Sequence, residues 1–575
     1  MKIIKTKIKN YRNLSELEVY LDEYTNYIIG ENNVGKSNYL KLLDIICNGK
    51  SFDEEDYFDI EKPIEIELQL KLKENELGFF GDCFSPEDES IINILYTQLI
   101  TDSHPKIISL DTTEAIQIKQ IRKIHFLKYD SNSLPSKELK IDGKKGIGSL
   151  VSELINKYLE DSSNSKDFLN SSNVQSLLDY INDYLLKIKS FKDYSIKAAF
   201  SNEPIDMLTS LFYLSDEERN INMTSSGVQY ISMASVNVLC QIMNIYKNKT
   251  INFAEHLYFE GDKKILPIIL SIDEPEVHLH PFLQRSLINY YKKILNNEDG
   301  KFLELLKMCF DIDGLNGQII IVTHSTDALV DNHKNLIRFY SSNKKVQAVC
   351  GSKISLEEYE KHLIRKFKEI KEAFYSKCVI FVEGETEYGC MQKFADAINI
   401  SLDDHGILVL KADGEKSIEP IKQLLNLFGI PSICIYDGDV KNDNEYENNI
   451  FYTNTSCFEI EIVNVLYDKG KYDIIKNVVT ELDEKDLNRV LDKGLITKGF
   501  KKLGLDPNTY TPIKLSDINE SNKTIFCNMY SAYFINKKGI LLGRIIGELL
   551  TDELIPDCYK NAISKAKEVA VNGSN

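Results

Sequence analysis

The sequence predicts an α/β protein that carries two parallel-sheet domains in tandem, and three observations support this. A glycine-rich loop stands between a strand-like run and an amphipathic helix near residue 30. Nearly all-apolar runs at Ile265–Ile272 and Gln318–Thr323 read as parallel strands covered on both faces. A second βαβαβ pattern opens at Cys378.

In order along the chain, Ile3–Ile8, Leu17–Leu21 and Asn26–Ile29 read as strands, and Ser37–Cys47 as a helix with one apolar side. From Ser131 to Asn202 the text turns polar and rich in Ser, Asn and Lys, with helices at Ile147–Leu159 and Val174–Ile188 and no strands, the mark of a helical insertion. Ser355-Leu356-Glu357-Glu358 fits a capping box, and Leu356, Tyr359, Leu363, Phe367, Ile370 and Phe374 line one face of a linking helix expected to pack on the first domain. Strand Cys378–Val382, helix Thr386–Ile398, strand Ile407–Lys411, helix Ile418–Phe428 and strand Ser432–Tyr436 follow, and helices dominate beyond Leu466. The boundaries expected are 1–345 for the first domain with its insertion at 131–215, 346–375 for the linker, 376–540 for the second domain and 541–575 for C-terminal helices.

Composition narrows the function. With 575 residues, 43% apolar and 27% charged, the chain has enough apolar text for about two to four folded cores and excludes a disordered protein. A net charge of −18, from 69 Lys+Arg against 87 Asp+Glu, excludes coating of nucleic acid by the whole surface, so any such site must be a local basic groove. Eleven scattered Cys without a C-x-x-C pair exclude a disulfide framework and a Cys-rich zinc site, and predict reduced thiols in a cytoplasmic protein. No apolar run predicts a signal peptide or a membrane span.

Gly30-Glu31-Asn32-Asn33-Val34-Gly35-Lys36-Ser37 matches G-x-x-x-x-G-K-[ST]. Backbone N–H groups of such a loop curl round a β-phosphate, Lys36 reaches the β/γ-phosphates and Ser37 binds Mg²⁺, with Asn33 and Asn38 flanking them. Asp273 and Glu274 end an apolar strand, where one carboxylate serves the Mg²⁺ shell and the next the attacking water. Asp273 through Pro281, then Thr323-His324-Ser325, together with Tyr11-Arg12-Asn13-Leu14, resemble the catalytic strand, D-loop, switch histidine and N-terminal segment of ABC-type ATPases of the RecF and SMC group. The resemblance implies ATP as ligand, His324 as γ-phosphate sensor, and Ser226-Gly227 within Ser225–Gln229 as a signature loop that completes a site across a homodimer. Gln69 is a candidate Q-loop residue, and His278 and His280 are read as packed loop residues, not metal ligands.

The second constellation is acidic. Glu383-Gly384 follows one apolar strand and Asp437-Gly438-Asp439 follows another; if extended, residues two apart face one side, so these carboxylates can converge and call for Mg²⁺ or Mn²⁺ between them. E-G followed by D-x-D resembles the Toprim domain, and an ABC-type head fused to Toprim resembles the OLD (overcoming lysogenization defect) nucleases, a family that includes the nuclease subunit of Gabija antiphage systems and similar retron effectors. The resemblance implies an ATP-gated, metal-dependent DNA endonuclease, cutting by two metal ions held by Glu383, Glu387, Asp437, Asp439 and Glu459. It places a third acidic motif at Ser456–Glu461, with Glu459 preferred over Glu461, and a catalytic lysine at Lys538 in Asn536-Lys537-Lys538-Gly539. Lys416 lies where the family has a phosphate-touching lysine, and Lys493, Lys498, Lys501 and Lys502 are candidates for a DNA groove. DNA and a homodimer are the implied partners, with a helicase-like subunit or a reverse transcriptase and its RNA–DNA product as further ones. Rival readings are a RecF-type DNA-binding ATPase with an inactive Toprim domain, a strand-passage topoisomerase, which lacks room for gate domains, and a primase, which lacks its zinc module.

Overall fold

The computed structural model describes residues 1–81, 83–130, 135–141, 146–161, 171–188, 196–200, 212–216, 219–248, 253–342, 344–412, 414–440 and 448–572. The chain divides into two compact units, Met1–Ser341 with Lys345–Ile354, and Ser342–Lys344 with Ser355–Asn575.

The first unit holds two main sheets. An antiparallel sheet runs Leu17–Tyr20, Lys2–Lys9, Ile64–Lys71, Ile91–Gln98, Lys106–Ser109, and its strands bury every second residue, as a sheet with one wet face must. The other is mainly parallel. Lys263–Asp273, Gly314–Val322, Thr25–Gly30 and Leu336–Ser342 lie side by side, with Lys345–Cys350 beyond them and His125–Asp130 pairing in parallel with Lys263–Asp273. Gly314–Val322 is buried at every residue, which explains the apolar run Ile319–Val322, while the buried Gln318 amide donates to the carbonyls of Ile3 and Asp22. Gly30 ends the central strand at φ 141°, where a Cβ would stand 2.0 Å from the Phe339 carbonyl, so only glycine lets the chain leave the sheet into the loop.

The insertion differs from the expectation of helices alone. Gly146–Asp161 and Ser171–Leu185 are helices, but Lys197–Phe200, Phe212–Asp216 and Arg219–Asn220 form an antiparallel sheet. Its short strands give little β-signal. The Asn182 side chain holds one edge, accepting from the Ala198 N–H at 2.7 Å and donating to its carbonyl at 3.1 Å. Much of 131–215, including 162–170 and 201–211, lies outside the described residues.

In the second unit a four-stranded parallel sheet runs Ile407–Lys411, Cys378–Val382, Ser432–Tyr436, Ile450–Tyr452. The first three strands are those read from the sequence; the fourth is only three half-buried residues and carries no run of its own. The linking helix begins at Glu360, not at the Ser355 capping box, and continues as a 3-10 turn at Lys371–Tyr375. Its buried face is Leu363, Phe367 and Ile370, and it packs within the second unit: Phe374 meets Phe428 edge-on at 5.0 Å. The helix thus belongs to the second unit. Ile540–Leu549 and Asp557–Asn572 likewise join the core that includes the sheet. Helix Glu385–Ala397 and helix Ile540–Leu549 touch backbone to backbone at Gly389 and Gly543.

All eleven cysteines are buried free thiols. Among the described residues no helix is long and apolar enough to cross a membrane.

Candidate functional site

The first unit presents a cavity of about 600 Å³ lined by Asn32, Asn33, Gly35, Lys36, Ser37, Asn38, Glu274 and His324. The loop enters it through left-handed Asn33 (φ 64°) and Gly35 (φ 93°), and the helix Lys36–Cys47 starts directly behind. Lys36 folds over this loop, donating to the carbonyls of Gly30 at 3.0 Å and Glu31 at 2.6 Å. Burial pulls its ammonium down to about 8, against the carboxylates of Glu274 and Asp273. Ser37 Oγ, on the first turn of helix Lys36–Cys47, lies 3.4 Å from Asp273 Oδ1 at the end of strand Lys263–Asp273. Glu274 is held at φ 50°, and its carboxylate stands 3.9 Å from His324 Nε2.

Two supports were not singled out from sequence. Glu276 accepts from Thr323 Oγ1 at 2.7 Å and from the His324 N–H at 2.6 Å, so it fixes the switch histidine's backbone. Arg12 bridges Asp56 and Asn38, each at 2.8–2.9 Å, and Asn38 donates to Asn13, which ties the Tyr11–Leu14 segment beneath the loop. The third acid of Asp273-Glu274-Pro275-Glu276 is the only legible hint of the former.

Gln69, the Q-loop candidate, sits in the antiparallel sheet, donates to Asn93 and does not line the cavity. Ser226 and Gly227 open helix Ser226–Asn248 and do not line it either. They lie beside the His278 loop, whose imidazole stacks on Tyr230 at 4.4 Å; His280 stacks on Phe282 at 5.8 Å. Both histidines stack on rings while remaining exposed.

In the second unit the parallel strands bring the acidic residues to one end of the sheet. Glu387 is buried on the first turns of helix Glu385–Ala397, and burial, then Asp437 and Glu459, push its carboxyl up to about 8. Burial and the nearby Glu383 push Asp437 up to about 7, against Lys538 and Lys502. Asp437 donates its backbone N–H to Glu383 Oε1 at 3.0 Å. Glu459, fully buried, faces Lys538 Nζ at 2.8 Å from Oε2. Burial opposes the charge of Lys538, but Glu459 holds it well above its ordinary value. Its neighbour Lys537 turns away to Asp486 at 2.6 Å.

One expectation changes. Gly438–Val440 is a 3-10 turn, so the rule that residues two apart share a face fails, and Asp439 points to Lys502 at 2.5 Å. Glu461 takes no part in the cluster: it accepts from the Asn454 N–H at 2.5 Å, the Asn454 amide at 2.8 Å and the Thr455 N–H at 3.2 Å. Lys416 is exposed at the start of helix Glu415–Leu427. Of the groove lysines, Lys493, Lys498 and Lys501 are exposed, whereas Lys502 reaches the acidic cluster.

Among the described residues no three His, Cys, Asp or Glu stand close enough to enclose one ion, because Lys502 and Lys538 balance the outer carboxylates and Glu383 leans on an amide. The donor set nevertheless fits a divalent cation. Asp437 Oδ1 and Glu459 Oε1 are buried oxygens without a hydrogen-bond donor, beside the buried Glu387, and an anionic oxygen stays in such a place at a cost of ~1–3 kcal/mol or more unless a cation meets it.

Residues 374–439 match the Toprim domain of overcoming lysogenization defect protein-like proteins, and 1–264 with 145–329 match the AAA ATPase domain. The fold and site define an ATPase domain followed by a Toprim domain with a helical C-terminal region. The AAA ATPase match spans more than half of the chain, which belongs to that family, and the OLD-like Toprim match follows it. It is 22% identical over 602 residues to Endonuclease GajA of Bacillus cereus (strain VD045), covering 97% of this chain and 96% of that protein. It is 22% identical over 503 residues to the Old nuclease of Escherichia phage P2, covering 76% and 77%. A solved SMC head bound to the C-terminal winged-helix domain of ScpA covers 62% of this chain and 99% of its own at 14% identity, with a TM-score of 0.36.

Proposed function

We propose that the chain is an ATP-dependent DNA endonuclease of antiphage defence, acting in the cytoplasm, whose Toprim unit cuts phosphodiesters with two metal ions under control of the ATPase head. The observation that carries this is the buried trio Glu387, Asp437 and Glu459, with two donorless carboxylate oxygens, set against the ammonium of Lys538. The printed names of the relatives, endonuclease and nuclease, support the same chemistry.

Glu383, Glu387, Asp437, Asp439 and Glu459 would hold Mg²⁺ or Mn²⁺, which supplies an activated water and neutralises the leaving 3′-oxygen. Lys538, charged and fixed by Glu459, offers its remaining N–H donors to the phosphoryl oxygens as negative charge grows on them. In the head, Lys36 exchanges its two carbonyl partners for β/γ-phosphate oxygens, and Ser37 with Asp273 faces the nucleotide's Mg²⁺. Glu274 orients the attacking water, and His324 senses the γ-phosphate from a backbone pinned by Glu276.

DNA and a second copy of the chain are the partners of this reading; a helicase-like subunit or a reverse transcriptase with its RNA–DNA product is a further one. The rival, a RecF-like DNA-binding ATPase with an inactive Toprim unit, draws support from the pairing of Asp439 with Lys502. The two part on one experiment. Plasmid DNA incubated with the purified chain and Mg²⁺ or Mn²⁺ is expected to be nicked or cut, and Glu383→Ala or Asp437→Ala to abolish this without unfolding. Full cleavage by the folded double variant would refute the site, and no cleavage by the native chain under any metal or nucleotide condition would favour the rival.

A further inference from the structure

Lys502 stands apart from the other basic residues of its helix. Its Nζ lies 2.5 Å from Asp439 Oδ2 and 3.8 Å from Asp437 Oδ2, whereas Lys538 pairs with Glu459. The placement is built into the fold. Helix Lys493–Lys502 crosses helix Lys523–Asn536 at Gly499, where a Cβ would stand 2.4 Å from Ala532 Cα, and Phe500 and Ile496 are buried on that side. The crossing brings the last turn, and Lys502 with it, to the acidic end of the sheet.

We propose that Lys502 is a built-in counter-cation of the nuclease site, which gives up its place beside Asp437 and Asp439 to a divalent cation and then turns its ammonium to a DNA backbone phosphate. The inference rests on the reading of this cluster as a metal site.

Competition follows from size and charge. A divalent ion bound through Asp439 Oδ2 at the ~2.0–2.1 Å of Mg²⁺ would claim the same side of that oxygen that the ammonium now holds. Two cations sharing one oxygen repel, so one must leave. Lys538 is the less mobile, because Lys537 is pinned by Asp486 and the Gly539 N–H donates to Thr386 Oγ1 at 3.3 Å. Lys502 hangs from a helix end on a flexible four-carbon stem, with a third of its side chain in solvent. Its nearest destination is also basic: Lys498, four residues earlier, is exposed on the same face of the helix. A released Lys502 therefore adds a positive charge to that face at the moment the metal arrives. Metal and DNA become mutually reinforcing ligands, and by linkage each raises the affinity of the other by the same factor.

The test is Mn²⁺ binding to the full-length chain, followed by calorimetry without nucleotide or DNA, with the site defined as the binding lost in Asp437→Ala. Lys502→Met is expected to bind Mn²⁺ at that site about tenfold more tightly or better, and Lys502→Arg to stay near the native affinity. In fluorescence anisotropy with a labelled duplex, Ca²⁺ should strengthen DNA binding by the native chain and by Lys502→Arg but not by Lys502→Met. Equal or weaker Mn²⁺ binding by Lys502→Met, with its melting temperature unchanged, overturns the inference while leaving the metal site in place. Retention of all Mn²⁺ binding by Asp437→Ala overturns the metal site itself, and the inference with it.

Discussion

Glu459 and Glu461 show how two acids on one helix take separate work. Glu459 points into the cluster toward Lys538, whereas both oxygens of Glu461 are spent on the N–H groups of Asn454 and Thr455. Glu459→Gln is therefore expected to keep the fold and lose cleavage. Glu461→Ala should instead cost ~1 kcal/mol or more, read by denaturant unfolding, because it removes three hydrogen bonds that a carboxylate accepts from part-buried donors. Reversal of those two effects would move the third acidic motif by two residues. In the head, Lys36→Ala should lose ATP binding, while Glu274→Gln keeps it and slows hydrolysis; unchanged turnover in Glu274→Gln would mean that another residue orients the water. Spacing alone cannot separate Glu459 from Glu461, or Lys538 from Lys537, because the choice is made by the turn at Asn454 and Thr455, just before the helix, and by Asp486, remote in sequence.

At the scale of elements, the sequence showed the parallel strands plainly, since Cys378–Val382 and Ser432–Tyr436 are buried at every residue and read as unbroken apolar runs. It was silent where tertiary pairing makes the element, as at Ile450–Tyr452 and the insertion's short sheet. It misled where a local rule met a turn: Asp437 and Asp439 were read as extended, but Gly438–Val440 winds into a 3-10 turn whose first glycine lies against the Thr453 and Thr455 carbonyls. The helix crossing at Gly389 and Gly543 carries its own prediction. A Cβ on Gly543 would stand 1.9 Å from the Thr386 carbonyl. Gly543→Ala must therefore push apart the helix that carries Glu387 and should cost ~1–3 kcal/mol. A melting temperature equal to the native one would show that this crossing is not tight.

At the scale of the whole molecule, the acidic surface and the local basic helix Lys493–Lys502 fit a protein that admits DNA at one place. Ser226 and Gly227 do not line the nucleotide cavity of their own unit, so the account expects at least a homodimer in which they complete a partner's site, with the insertion at 131–215 as a second contact. Light scattering at micromolar protein should report a dimer or larger; a monomer with and without ATP would remove that arrangement. If ATP gates the nuclease, it does so by binding one arrangement of the heads more tightly, and a tenfold preference corresponds to ~1.4 kcal/mol.

The central claim is that the acidic end of the second unit's sheet breaks DNA. Its most direct test is conversion of supercoiled plasmid by native protein and by Glu459→Gln, side by side in Mn²⁺ and matched for melting temperature. Nicked or linear DNA is expected from the native chain and intact supercoils from the variant. Equal conversion by the two would contradict the claim.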